Sequence, residues 1–203
     1  ADSALGQVTY QWATYAKWSF AVSPGLIWSG SDIQTPELIV LDGAGISWDE
    51  ASCQTLLDHA AAGSDIVFAT LPAPSVIRGS RELRELLGIY SIRAERTKAE
   101  GLHLYEGFLL GGEVLYQGRD EEDNEQYQDL DLEMPWYVLD SGTKVYMKGI
   151  PLSAERAEDH PAVIWRRSLG NSYLFAVNGR YMEDVAGLGL LSAMVSETES
   201  CTV

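Results

Sequence analysis

The sequence predicts an α/β protein: a parallel sheet flanked by helices, with an antiparallel, β-rich extension in its second half. Three observations predict it. Two short, continuous apolar runs, Glu37 to Leu41 and Ile66 to Ala69, are separated by a single capped amphipathic stretch, the order of a βαβ crossover. From about Tyr90 to Lys148 the apolar residues alternate in short runs around turn residues such as Gly111-Gly112 and Ser141-Gly142, as hairpins do. A hairpin signal at Ala162 to Trp165 and Tyr173 to Val177, over Leu169-Gly170-Asn171, then leads into an apolar closing helix from about Met182 to Val195.

Taken in order, the first twenty residues read as an amphipathic helix with Leu5, Val8, Trp12, Tyr15 and Ala16 near helical spacing and Asp2 or Ser3 as its cap. A Ser/Pro/Gly stretch breaks it before the first strand. Ser47, Asp49 and Glu50 mark the next helix N-terminus, because their oxygens and charge suit the unpaired amides there. Leu56, Leu57, Ala60 and Ala61 continue its stripe to Gly63 at the C-cap. Thr70 to Pro74 reads as a loop, and Ser80 to Leu87 as a short helix ended by Gly88. We expect one domain over residues 1–203, with the β-rich insertion at about 90–160.

Length and charge narrow the function classes. The 203 residues include 46% hydrophobic positions, enough for a proper core. Asp and Glu number 30 against 14 Lys and Arg, a net charge of -16, which repels a phosphate backbone and argues against nucleic acid as a partner. No apolar run approaches the roughly 20 residues that cross a bilayer, so no membrane insertion is expected in this segment. Cys53 and Cys201 have no metal-ligand spacing, and neither a structural metal nor a cofactor is expected. The chain opens Ala1-Asp2-Ser3 without an initiator methionine, from which we expect a processed leader or anchor upstream and further polypeptide downstream.

The run from Pro36 through Leu41-Asp42-Gly43-Ala44-Gly45 to Glu50-Ala51, continued by Leu56 to Ala62-Gly63 and Ser64 to Thr70, resembles the class I glutamine-amidotransferase-like superfamily. It is most similar to the non-catalytic branch typified by the β-galactosidase trimerisation domain. Glu82 to Ile89, with its Leu-Leu-Gly step, and Ser168 to Gly179, with its glycine turn, strand and Asn-Gly, are similar to later steps of the same fold. The resemblance implies a flavodoxin-like, amidotransferase-like sheet. The segment from Asn178 to Glu197 also resembles part of a bacterial cell-surface protein family that carries such a module ahead of a polysaccharide-deacetylase-like region. That second resemblance implies an extracytoplasmic location in a bacterium, with carbohydrate or other domains of the same polypeptide as partners.

Catalytic members of the superfamily place a cysteine on a tight strand-to-helix turn, where backbone amides stabilise an oxyanion and a histidine serves as base. No Gly-x-Cys-x-Gly elbow occurs here: Cys53 falls inside a predicted helix. The strand that would deliver the nucleophile ends Ala69-Thr70-Leu71-Pro72, and proline disfavours helical geometry at the residue before it. His59, His103 and His160 adjoin no nucleophile motif, and Gly-x-Ser-x-Gly is absent. Gly43-Ala44-Gly45 lacks the third glycine of a dinucleotide fingerprint, having Trp48 in its place. The acidic run from Arg119 to Glu133 lacks the glycine of a calcium loop and reads as a solvated segment.

Open α/β sheets bind ligands at the C-terminal ends of their strands. Asp42, Gly43, Thr70 and Asn178, with Arg180 and Tyr181 just beyond, are therefore the candidate ligand-binding residues. Trp12, Trp18, Trp28, Trp48, Trp136 and Trp165 offer planes for sugar stacking, although core packing is the first expectation for aromatic residues. The sequence thus favours a non-catalytic scaffold or ligand-binding module linked to polysaccharide metabolism. Its alternative is a hydrolase acting on a carbohydrate or ester.

Overall fold

A computed structural model describes residues 3–23, 26, 35–104, 112–115, 118–119, 125–126, 132–151, 161–183 and 185–199. The elements, in chain order, are α1 (Ala4–Ala16), β1 (Leu38–Asp42), a single 3-10 turn (Gly43–Gly45), α2 (Glu50–Ala61), β2 (Asp65–Thr70), α3 (Pro74–Gly79), α4 (Arg81–Leu87), β3 (Ile89–Leu104), β4 (Gly112–Leu115), β5 (Gly118–Arg119), β6 (Glu125–Gln126), β7 (Leu132–Leu139), β8 (Thr143–Pro151), β9 (Ala162–Leu169), β10 (Ser172–Val177) and α5 (Val185–Glu199). One sheet runs β1-β2-β10-β9-β8-β3-β4, with β7 on β3, while β5 and β6 pair separately.

The parallel part of the sheet is three strands wide. β1 and β10 each run parallel to β2, with Ile39 opposite Ile66 on one side and Leu174 opposite Ile66 on the other. Everything beyond β10 is antiparallel: β10 returns as a hairpin from β9, β9 pairs β8, and β8 pairs β3. The expected parallel sheet is thus only its first edge, and the antiparallel extension continues the same sheet. One crossover, β1-α2-β2, accounts for the first parallel pair. The second is made when β10 returns from the far end of the chain, and local periodicity carries no sign of it.

Alternation places side chains on both faces. Ile66, Phe68, Leu174 and Ala176 enter the core under α2, α3 and α4, together with Cys53, Leu56, Ile77, Leu83 and Leu87. Val67, Ala69, Phe175 and Val177 enter the opposite core with Trp12, Leu191 and Met194 of α1 and α5. The parallel edge is therefore covered on both faces, which explains why its strands read as unbroken apolar runs.

Helix boundaries follow their caps. Ser3 caps α1 through the Gly6 amide at 3.0 Å, Asp49 caps α2 through the Ser52 amide at 2.8 Å, and Ser80 caps α4 through the Leu83 amide at 3.0 Å. Helix α1 buries Val8, Trp12 and Ala13, whereas Tyr15, expected on its apolar face, is 80% exposed. Helix α3 was not expected. Pro74 at its first turn, where the missing N–H costs nothing, was the available signal.

Gly88 ends α4 at φ 69°, and a Cβ there would lie 2.6 Å from Thr143 Cγ2. Its carbonyl accepts from the Asp140 amide at 2.9 Å, tying the turn after β7 to the helix end. The segment from Tyr137 to Met147 turns at Ser141-Gly142 as expected, yet its two arms take different partners: β7 pairs β3, while β8 pairs β9 and the far half of β3. The strand expected from Phe108 to Tyr116, most of the acidic run from Arg119 to Glu133, and Trp28, His160 and Cys201 lie wholly or largely outside the described residues.

Candidate functional site

Three strand ends converge at the C-terminal edge of the parallel strands. Asp42 ends β1 opposite Thr70, which ends β2, and Asn178 follows β10 directly. From β2 the chain passes to α3 on one face of the sheet. From β10 it passes to α5 on the other. In open α/β sheets such a divergence between neighbouring strands is where ligands are commonly received.

The β1 and β2 ends are locked together. The Thr70 hydroxyl donates to the Asp42 carboxylate, which also accepts from the Ala44 amide at 3.2 Å and so caps the 3-10 turn. Gly43 is sterically required, since a Cβ there would run into the Thr70 carbonyl oxygen. The Trp48 indole donates to the Gly43 carbonyl at 2.7 Å and stacks on Phe68, with ring centroids 5.2 Å apart. Asp42 is exposed, so its remaining oxygen capacity faces outward.

The β10 end is built differently. Asn178 is 6% exposed, and its side-chain amide donates to the Pro135 carbonyl at 3.0 Å and the Ala162 carbonyl at 3.2 Å. Its backbone amide donates to the Val163 carbonyl at 2.7 Å. Both amide protons are thus spent joining β10 to β7 and β9. Gly179, at φ 146°, lies under the Tyr181 ring, and Arg180 pairs with Glu183 at 3.1 Å on the surface. Of the six candidate residues, Asp42, Gly43 and Thr70 form one contact set. Asn178 is turned into the antiparallel half, Tyr181 packs against the core shared with α1 and α5, and Arg180 stands beyond β10 with Glu183.

Catalytic machinery of the amidotransferase kind is not assembled from the described side chains. Cys53 sits on α2, 2% exposed, and burial, reinforced by the negative charges of Glu82 and Asp49, pushes its thiol up to about 11. A thiol so protonated is a poor nucleophile. The β2-to-α3 junction carries no side-chain cap, and no cysteine stands on it. Among the described residues no three His, Cys, Asp or Glu side chains converge as a metal would need, and no helix is long and apolar enough to cross a membrane. Tryptophans are used mainly in packing: Trp165 is fully buried and donates to the Leu87 carbonyl at 2.8 Å, and Trp12 donates to Ser192 Oγ at 3.1 Å.

Sequence reasoning missed the opposite end of the strands. There the Glu197 carboxylate of α5 accepts from Tyr146 Oη at 2.6 Å and Lys144 Nζ at 3.1 Å, with Arg166 Nη1 4.0 Å away. Burial pushes the Glu197 carboxyl up, but those hydrogen bonds and the Arg166 charge outweigh it and hold it below the usual range. Two clefts open at this end, one beside Asp65 and α5, the other between α2 and the β9-β10 turn. The partners come from β8, β9 and α5, far apart in the chain, and the local trace was a polar last turn, Ser196 to Glu199, closing a largely apolar helix.

The architecture is a mixed α/β fold. No protein-family model and no curated protein matches the chain. Among solved structures it is similar to the mmIFT52 N-terminal domain, at TM-score 0.58 and 9% identity over 94% of this chain and 88% of that one. A ThuA-like protein from Bacteroides uniformis ATCC 8492, whose fold is class I glutamine-amidotransferase-like, matches at TM-score 0.50 and 12% identity over 98% and 86%. The exo-beta-1,4-mannosidase Op5Man5 from Opitutaceae bacterium strain TAV5 matches at TM-score 0.50 and 14% identity over 95% of this chain, which spans 29% of the mannosidase's length. At such identities the likeness is one of fold.

Proposed function

We propose that this chain is a non-catalytic amidotransferase-like module that binds or positions a ligand for a larger bacterial cell-surface protein concerned with polysaccharide. The carrying observation is the fold without its nucleophile: β2 runs into Leu71, Pro72 and Pro74, and Cys53 lies buried in α2. The mannosidase supports the carbohydrate context, because a far longer carbohydrate-active protein contains a region of this fold. In this reading the ligand lies at the C-terminal edge between the β2 and β10 ends, against Asp42, Thr70, Arg180 and Tyr181, with Gly43 and Asn178 beside it. Residues 1–203 act as one domain in this reading, extracytoplasmic, and without a cofactor.

The test pairs a glycan-binding screen with a panel of chromogenic glycosides and esters. Saturable glycan binding, weakened by Arg180→Ala and by Thr70→Val and unchanged by Cys53→Ala, is the expected result. The alternative of a carbohydrate or ester hydrolase draws on the exposed Asp42 carboxylate and the hydroxyl it holds. Turnover that disappears in Asp42→Asn would replace the binding reading with that one.

A further inference from the structure

Helices α1 and α5 lie side by side over one face of the sheet, where Val8 packs on Gly187 and the Trp12 indole donates to Ser192 Oγ at 3.1 Å. Their outward sides carry almost no charge. Lys17 is the one charged residue in residues 3–23, and residues 185–196 hold none, in a chain that is 22% charged. On α1, Gln7, Tyr10 and Thr14 are exposed, Tyr10 by 54%. On α5, Gly189, Ser192 and Ser196 recur at helical spacing on the side away from the buried Leu190, Leu191 and Met194.

Gly189 adds an independent sign. Gly187 has an internal reason to be glycine, since a Cβ there would run into the Met182 carbonyl and Val8. A Cβ on Gly189 would meet nothing within 4 Å among the described residues, although glycine is a poor helix former. A missing side chain on an outward face lets another surface approach the helix backbone closely.

Charge selects the occupant. A basic partner would seat on the acidic surface that the rest of this chain, at net charge -16, presents, and an uncharged face offers it nothing to complement. Two copies of the chain repel each other wherever acidic surface meets acidic surface, and on this face they meet without that repulsion. Interface cores are likewise depleted in charge and enriched in tyrosine. We propose that two copies of this chain associate through the outward faces of α1 and α5, about a twofold axis, with Gly189 of each copy against the helices of the other.

Helices of 13 and 15 residues give a face roughly 20 Å long and 20 Å wide, about 400 Å² for each copy before side-chain relief is counted. That is the size of a weak, reversible interface. The strand ends of the proposed function take no part in it, so either reading can fail alone.

Sedimentation equilibrium of the 203-residue protein at roughly 5 to 500 µM, the range of a weak interface, tests it. The expected result is a monomer–dimer equilibrium that tightens several-fold between about 0.05 and 0.5 M sodium chloride, because salt screens the repulsion of two acidic copies. Gly189→Glu should weaken it more than tenfold by setting like charges across the axis. Gly142→Glu adds the same charge on a turn with open space around it, and should leave association within about twofold. A protein monomeric throughout, a dimer that salt dissociates, or equal effects of the two substitutions would overturn the proposal. If circular dichroism shows Gly189→Glu to be unfolded, unchanged association in both Gln7→Glu and Ser196→Glu does the same.

Discussion

Asn178 stands where a ligand residue was expected, yet its geometry makes it a weld between strands, and substitution separates the two roles. In Asn178→Ala two hydrogen bonds to the Pro135 and Ala162 carbonyls are lost at a site 6% exposed. Each is worth about 1 kcal/mol net, and a carbonyl left unpaired adds more, so the expected loss is roughly 2–4 kcal/mol. For a chain of this size that corresponds to a fall in Tm of roughly 5–15 °C. Asn178→Asp should be worse than alanine. Its carboxylate accepts only, and would face two carbonyl oxygens in a buried position. Urea denaturation followed by far-UV circular dichroism, with fixed slopes, measures both variants. A loss below about 0.5 kcal/mol for alanine, or an aspartate variant as stable as the parent, would refute the weld. Loss of ligand binding in these variants should track loss of folded protein and vanish as a separate effect under stabilising conditions.

Gly88→Ala should destabilise by more than about 1 kcal/mol, because φ 69° and the Thr143 methyl both oppose a Cβ; a thermal shift assay reads this, and Gly142→Ala, with open space around it, serves as the control. Glu197 and Asp65 should shape the acid limb in opposite senses. The depressed Glu197 carboxyl contributes stability above its unfolded pKa that is lost as pH falls through its folded value, so Glu197→Gln should flatten the acid limb of a stability profile. Asp65 carries a raised pKa, so its contribution is full below the ordinary carboxyl value of 3.8 and is lost as pH rises through the folded value; Asp65→Asn should narrow the difference between mildly acidic and neutral pH. At pH 8 Cys53 should resist a thiol reagent until denaturant is added, as peptide mapping of the labelled protein would report, and early labelling would contradict the burial and raised pKa.

What the sequence disclosed were features that short stretches encode. The β1-α2-β2 unit was legible because strands covered on both faces are apolar without interruption, and because Asp49 and Gly63 punctuate the helix between them. Gly88 and the Gly170 turn announced themselves for the same local reason. The partner of β2 on its second edge was not legible, since nothing in Asp65–Thr70 specifies a strand over a hundred residues later. The same applies to β7 and β8, which look like a hairpin by alternation and turn residues, while the choice of neighbours is made by β3. At the candidate site, Asp42 and Thr70 were found from their place at strand ends. Asn178 was placed at the right edge, but the direction of its amide depends on carbonyls of two other strands. The Asp65 cleft and the Glu197 cluster escaped notice because their members come from strands and a helix scattered along the chain.

The pairing of β2 with β10 also sets the order in which the protein can form. Asp65 and Tyr173, joined by a hydrogen bond, are 108 residues apart, so β2 leaves the ribosome long before its second neighbour exists. At about 5–20 residues per second, that interval lasts roughly 5–20 s. Throughout it, Ile66 to Ala69, an apolar run one strand in from the edge of the finished sheet, presents an unfilled row of backbone donors and acceptors to whatever strand arrives first. Efficient production of this protein therefore depends on keeping that nascent edge solitary, by slow initiation, low temperature or a chaperone that holds it, until the final hairpin is made.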